Sequence, residues 1–376
     1  MFMKRFFSAA AILFFAVNTH AQLQRRYKDI VFKEVTIDQD LSYAIGKDKK
    51  AHLFDLYTPH DDNIKKRPLI IWMHGGGFLF GSKDAKGIKL WSNTFAQRGY
   101  VCAAINYSMS KKSPIFGFST SDLQKSAYYA VLDLKQAIAY FKSNADKYGI
   151  DTNKIILGGN SAGGIMALQT AYTNNEQLAE QVGITKSDAD AHPTEFIKIA
   201  AVVNFWGGIF DLHWLKNTKV PIVSVYGSTD GIINPDHKNS SIYGALAIQR
   251  KADELKIPNA AKVFEGYSHE LEKHFNPIFS ADKDTRERWE QAGQFAADFL
   301  YEQLLIEKPK TVKTGTTLDY RTMGLGVESK TSKKKKMPLV TPKSKTMVAD
   351  TGGTSLDYKT MWNGTEVAQP ARKKNK

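Results

Sequence analysis

Between Lys154 and Ala171 the chain passes without a linker from a strand-like apolar run into a helix-like one. The strand-like run is Lys154-Ile155-Ile156-Leu157-Gly158, and the joint is Gly159-Asn160-Ser161-Ala162-Gly163. A serine between glycines at this spacing sits on a sharp strand-to-helix turn, and its hydroxyl projects from the end of a sheet. The glycines are required because the turn is strained and presses the helix onto the strand, leaving no room for a Cβ.

A second glycine-rich joint lies upstream. Pro68-Leu69-Ile70-Ile71-Trp72-Met73 is continuously apolar, as a strand buried on both faces would be, and it runs into His74-Gly75-Gly76-Gly77-Phe78. Three successive glycines let a backbone turn sharply and bring its N–H groups close to a carbonyl oxygen. A phosphate loop is the rival reading. It fails because neither Gly-Lys-Ser/Thr nor Gly-x-Gly-x-x-Gly is present here.

The remainder of the body alternates in the same manner. Val31–Ile37 and Ala51–Tyr57 alternate weakly and suit antiparallel strands at a sheet edge. Helices are expected over Ile88–Arg98, Ser121–Tyr148 with Ser121 as N-cap, Ala162–Ala171, Ala245–Leu255 and Arg286–Ile306. Further apolar strands are expected over Tyr100–Ile105, Ile197–Phe205, Val220–Tyr226 and Ala261–Glu265. Continuous apolar strands separated by helices predict an α/β fold, with a mostly parallel central sheet and helices on both faces. Residues 176–196 and 207–218 break the rhythm and are candidates to cap a cleft.

Charge and composition divide the chain into three parts. Residues 1–21 read as a secretory signal peptide: Lys4 and Arg5 are basic, Phe6 to Val17 is apolar, and Thr19-His20-Ala21 offers small residues for cleavage before Gln22. That apolar run is shorter than the roughly 20 residues a membrane span needs, so no transmembrane anchor is expected. The protein is expected to be secreted or periplasmic after cleavage near Ala21. Residues 22–307 are expected to form one domain, which holds both glycine-rich joints. Residues 308–376 form a basic, low-complexity tail with 16 Lys or Arg against 5 Asp or Glu, which holds most of the net charge of +14. The body is therefore nearly neutral, and its charge points to no nucleic-acid partner.

The tail repeats itself. Thr314-Gly315-Thr316-Thr317-Leu318-Asp319-Tyr320 returns as Thr351-Gly352-Gly353-Thr354-Ser355-Leu356-Asp357-Tyr358, with Lys333-Lys334-Lys335-Lys336 between. Two polar copies cannot build a solenoid, and disorder is the expectation. The functional alternative is a tether to an acidic surface or polymer. The one cysteine, Cys102, excludes an intramolecular disulfide, and its apolar neighbours suggest a buried, inert thiol.

A serine hydroxyl needs a base within hydrogen-bond reach, and the base needs a third group to set its tautomer. Ser161 is the candidate nucleophile. Gly266-Tyr267-Ser268-His269-Glu270 follows the last expected strand, so His269 would emerge at the same sheet edge as Ser161 and is the candidate base. Tyr226-Gly227-Ser228-Thr229-Asp230-Gly231 also follows a strand, and Asp230 is the candidate acid, with Asp211 in reserve. The order Ser, Asp, His is the one expected on such a sheet. Gly76, Gly77 and Ala162 are the candidate backbone donors to an oxyanion. Trp206, Phe210 and Trp214 suit either a substrate pocket or ordinary packing. Neither His-Glu-x-x-His nor a cysteine pair is present, so neither metal nor cofactor is expected.

These residues resemble the α/β-hydrolase superfamily, and within it the esterases with a His-Gly-Gly-Gly loop (hormone-sensitive-lipase-like enzymes and related bacterial carboxylesterases). The resemblance spans about residues 27 to 306. It implies a Ser161–His269–Asp230 triad, with Gly76, Gly77 and Ala162 as the oxyanion hole. Gly-Asn-Ser-Ala-Gly departs from the Gly-Asp-Ser-Ala-Gly of the lipase-like branch. The expectation is a secreted serine ester hydrolase working through an acyl-enzyme on short-chain or carbohydrate-linked esters. The alternatives are a prolyl-oligopeptidase-like serine peptidase and a non-enzymatic binding protein on a hydrolase scaffold.

Overall fold

The structure, a computed structural model, describes residues 25–44, 50–112, 119–184, 196–238, 240–275 and 283–305. The signal-peptide segment and the tail lie outside the described residues. In chain order the elements are β1 (Val35–Ser42), β2 (Leu53–Pro59), β3 (Arg67–Met73), α1 (Lys86–Ala96), β4 (Val101–Ile105), α2 (Thr120–Ser143), α3 (Ala145–Tyr148) and β5 (Ile150–Asn160). They continue with α4 (Ala162–Tyr172), α5 (Asn175–Gln181), β6 (Ala201–Phe205), β7 (Ile222–Gly227), α6 (Ala245–Glu254), β8 (Asn259–Phe264) and α7 (Lys283–Leu300).

One 8-stranded sheet runs in the order β1-β2-β4-β3-β5-β6-β7-β8. From β4 to β8 every neighbouring pair is parallel, whereas β2 is antiparallel to both β1 and β4. The expected α/β architecture, with its antiparallel edge, is therefore present.

Strand side chains alternate between two cores, as the pleat demands. Leu69, Ile71 and Met73 of β3 join Ile155 and Leu157 of β5 and the inner faces of α2 and α4. Ile70 and Trp72 of β3 turn the other way, onto Ile88, Trp91 and Phe95 of α1 and Ala292 and Ala296 of α7. This two-sided burial explains why β3 reads as an unbroken apolar run. Each face of the sheet removes its own set of apolar side chains from water. Cys102 is fully buried on the α1 side, and burial pushes its thiol well up, so it stays protonated.

Several boundaries differ from the sequence expectation by a few residues, and two of the starts have a clear local reason. Strand β1 begins at Val35 rather than Val31, because the N–H groups of Val31 and Phe32 both donate to Gln97 O beyond the end of α1, at 2.9 Å each. Helix α2 is capped by Ser119 rather than Ser121. The Ser119 hydroxyl accepts from Asp122 N at 3.2 Å, and the Asp122 carboxylate accepts from Ser119 N at 2.9 Å. Asp122 stands three residues after Ser119, and this reciprocal capping box selects the start. The helix stops at Ser143, where the Asn144 side chain donates to Tyr140 O at 2.9 Å. Of the segments expected to cap a cleft, 207–218 sends Trp214 and Leu215 into the core beside α4, and residues 185–195 of the other lie outside the described residues.

Candidate active site

The serine turn is built as its glycines require. Ser161 has φ 52 and ψ −117, a left-handed setting that non-glycine residues seldom adopt. Strain of this kind costs about 1–3 kcal/mol and persists only where the surroundings enforce it. Here Ser161 N donates to Phe205 O at 2.9 Å, and Ser161 O accepts the first helical bond from Ile165 N at 3.0 Å. A Cβ on Gly159 would stand 2.4 Å from the carbonyl carbon of Gly163, so neither glycine admits a side chain. Ala162 opens α4, where the first N–H groups have no intrahelical acceptor and face outward.

The glycine loop after β3 lies against this turn. A Cβ on Gly75 would come 2.8 Å from Asn160 Nδ2 and 3.2 Å from Ser161 Cβ. Gly76 and Gly77 have φ 108 and 61. Gly76 O accepts from Leu79 N at 3.0 Å and from Phe80 N at 3.3 Å, which curls the loop back on itself. Among the described residues, the N–H groups of Gly76 and Gly77 donate to no other backbone group. They are therefore free for a substrate oxygen. The sequence expectation for the three donors thus meets a loop and a helix end that adjoin Ser161.

His74 anchors the loop from below. It is 1% exposed, its Nδ1–H donates to Gly75 O at 2.7 Å, and its ring stacks on Tyr107 at 4.3 Å. The Tyr107 hydroxyl donates to His74 O at 2.7 Å. Burial, only partly opposed by the bond to Gly75, pushes the imidazole down to about 4, so it is neutral at pH 7. Ser110 N donates to Phe78 O at 2.7 Å and holds the outer side of the loop.

His269 and Asp230 arrive from the ends of β8 and β7. His269 Nε2 is 2.9 Å from Ser161 Oγ, and its Nδ1 is 2.8 Å from Asp230 Oδ2. A proton on Nδ1 then donates to Asp230, which leaves Nε2 to accept from the serine hydroxyl. Asp230 Oδ1 accepts from the N–H groups of Ile232 and Ile233, each at 2.9 Å. The two loops are laced together: Thr229 N donates to Tyr267 O at 3.0 Å, and Gly266 N to Ser228 Oγ at 2.9 Å. Exposure falls to 8% for Ser161 and 2% each for Asp230 and His269. Burial works to lower the affinity of His269 for a proton, but the charge and hydrogen bond of Asp230, aided by Glu270 and Glu272, hold it above the ordinary histidine value.

The structure thus brings Ser161, His269 and Asp230 together and leaves Asp211 elsewhere. The Asp211 carboxylate caps the 3-10 turn Leu212–Asn217, accepting from His213 N and lying 2.8 Å from His213 Nδ1. Trp206, Phe210 and Trp214 resolve as packing. Trp206 is 1% exposed among Trp91, Phe205 and Trp289, and the other two are buried on the opposite side of the sheet. Among the described residues, no group of three or more His, Cys, Asp or Glu is placed to hold a metal ion. No helix among them is long and apolar enough to cross a membrane.

Three participants escaped the sequence reading. Tyr107 follows the β4 run and carries no local signal, because its contact with His74 depends on β3 and β4 pairing in parallel. Asn160 and Glu270 were legible only as neighbours of Ser161 and His269. Their side chains meet at 3.5 Å.

Comparison with known proteins adds an independent line. The BD-FAE family model matches residues 54–241. The "Probable carboxylic ester hydrolase LipM" of Mycobacterium tuberculosis (strain ATCC 25618 / H37Rv) is 27% identical over 194 residues, 51% of this chain and 39% of that protein. "Esterase LipC" of the same organism is 33% identical over 129 residues, 34% of this chain and 29% of that protein. The chain therefore spans well under half the length of these curated relatives. Among solved structures, Thermogutta terrifontis esterase 2 phosphorylated by paraoxon aligns with a TM-score of 0.50 at 19% identity, covering 72% of this chain and 95% of that one. That likeness establishes a shared fold.

Proposed function

The chain belongs to the BD-FAE family, and on that premise we propose that it is a serine carboxylic-ester hydrolase of the His-Gly-Gly-Gly-loop type. The observation that carries the reading is the relay Ser161 Oγ, His269 Nε2, His269 Nδ1, Asp230 Oδ2, with links of 2.9 and 2.8 Å. A glycine loop with free N–H groups lies beside it. The two Mycobacterium tuberculosis relatives, both named as ester hydrolases, support the same reading.

In this mechanism Ser161 Oγ attacks the ester carbonyl carbon while its proton passes to His269 Nε2. The carbonyl electron pair moves onto oxygen, and the N–H groups of Gly76, Gly77 and Ala162 receive the resulting charge. Each such donor is worth about 3 kcal/mol in the transition state. Collapse of the tetrahedral intermediate expels the alcohol, which takes the proton from His269. Water, deprotonated by the same imidazole, then releases the acid from Ser161. Asp230 stabilises the imidazolium without itself taking the proton.

The substrate is a short-chain or carbohydrate-linked ester. Phe80 supports an apolar contact for part of it: the side chain is 52% exposed, yet its Cδ2 lies only 3.0 Å from where a Cβ on Gly76 would stand. An aromatic edge beside an oxyanion donor offers the ester an apolar surface. Export through the leader ending near Ala21, and contact between the basic tail and an acidic surface, complete the proposal. Both rest on the sequence.

The test is turnover of p-nitrophenyl acetate and of a matched peptide amide by the wild type and by Ser161→Ala. Ester hydrolysis that vanishes in Ser161→Ala, without amide cleavage in either, is the expected result. Undiminished ester turnover in that variant would sink the assignment, and amide cleavage would favour a peptidase.

A further inference from the structure

One carboxyl group beside the triad has no part in the mechanism above. Glu270 directly follows His269 and is half-buried. Glu270 and Leu271 have φ 56 and 60, two successive left-handed residues with bulky side chains. Helix α7 enforces this setting. Trp289 Nε1 donates to Glu270 O at 2.7 Å, and Arg288 Nε donates to Leu271 O at 2.6 Å. The bend turns the Glu270 side chain toward the serine turn, with Oε1 3.5 Å from Asn160 Nδ2.

Asn160 is itself a junction. It precedes Ser161 in the chain, and its Nδ2 lies 2.8 Å from where a Cβ on Gly75 would stand. A single amide therefore touches the oxyanion loop through Gly75 and the histidine loop through Glu270, while belonging to the nucleophile turn. The charges acting on the Glu270 carboxyl are the His269 imidazole and the Asp230 carboxylate. Glu272, on the same loop, also acts on His269. Arg288 on α7 is committed elsewhere, to Leu271 O, to Thr285 Oγ1 at 2.7 Å and to the face of Tyr267 at 4.2 Å. Burial raises the Glu270 carboxyl above the usual range, with His269 opposing and Asp230 adding to the rise.

We propose that Glu270 is a positioning residue for acylation, whose carboxylate stabilises the imidazolium formed on His269 and holds the Asn160 amide that spaces Ser161 from the oxyanion loop. The proposal rests on the Ser161–His269–Asp230 reading. A negative charge beside His269 favours its protonated form, and that form develops as the serine proton leaves. The Asn160 contact adds a geometric role, because it joins the nucleophile turn to the histidine loop at an amide against which Gly75 of the oxyanion loop is closely packed.

The experiment measures the rate at which a fluorophosphonate modifies Ser161, as a function of pH, in the wild type, Glu270→Gln, Glu270→Asp and Asn160→Ala. Thermal unfolding of each variant is followed in parallel. Labelling needs the same activated serine as ester attack, so an unlabelled wild type would overturn the esterase reading itself. If the wild type is labelled, Glu270→Gln should react at least tenfold more slowly, with its acid limb moved to lower pH. Asn160→Ala should slow the reaction while leaving the limb in place. Glu270→Asp keeps the charge and should hold the limb near the wild-type position, which carries the test even if the glutamine variant unfolds. Glu270→Gln reacting at the wild-type rate with an unmoved limb would overturn the proposal. So would Glu270→Asp with its limb moved to lower pH.

Discussion

Gly163 rests directly on Met73: a Cβ on this glycine would stand 2.1 Å from the Met73 carbonyl oxygen and 3.0 Å from that of His74. The start of the helix after the nucleophile is thereby seated on the end of the strand that launches the oxyanion loop. Two motifs far apart in the chain become one site through this contact. The distance between Ser161 and the loop donors depends on it.

Gly163→Ala should therefore damage both stability and rate. Overpacking at a rigid backbone contact costs about 1–3 kcal/mol, and a displacement near 1 Å can cost about a hundredfold in rate. Urea unfolding and kcat for a p-nitrophenyl ester check both expectations. Gly231→Ala is the contrast, because a Cβ there meets nothing within 4 Å; its stability should match the wild type.

Asp230→Asn should lower kcat by about 10⁴. The carboxylate lies 2.8 Å from His269 Nδ1 and fixes that proton, whereas an amide can present N–H and reverse the tautomer. Asp211→Asn, which disturbs only the contact with His213, should leave kcat within twofold. Steady-state kinetics of the two variants decide which aspartate serves His269.

The pH profile should show a single acid limb lying above the ordinary histidine value of about 6.5. Asp230 and its acidic neighbours outweigh the effect of burial and hold the proton on His269 longer, and only the neutral imidazole can accept from Ser161. Activity is thus lost as pH falls through the raised value. A kcat/KM profile on a non-ionising ester measures it, and a limb below that value would contradict the Asp230 pairing.

His74 should make stability itself depend on pH. Its folded-state value is about 4, below that of the unfolded chain, so the unfolded state takes up the proton first. Stability is then unaffected above about pH 7 and declines as pH falls, by roughly 2–3 kcal/mol at pH 4.5. His74→Gln should be less stable at pH 7 yet lose less between pH 7 and 4.5. Paired urea titrations at the two pH values measure the difference.

Much of this site could be read along the chain because it is made of local backbone constraints. Gly159 and Gly163 flank a serine that must take φ 52, and the loop glycines take φ values that side chains disfavour. Such needs leave their mark on consecutive residues. The starts of β1 and α2 do not follow the apolar pattern, because Gln97 O and the Asp122 carboxylate capture particular N–H groups there.

From its sequence alone this chain declared an alternating α/β sheet, a nucleophile, and the loop that would receive a negative charge. Apolar periodicity and glycine placement act over a few residues and need no distant partner. Tertiary structure decided which aspartate reaches His269, that Tyr107 props His74, and that Glu270 meets Asn160. Those outcomes depend on which strand ends lie side by side in the sheet. Hydrogen bonds act only over about 3 Å, so residues far apart in the chain acquire their roles only when parallel pairing brings their loops to one edge.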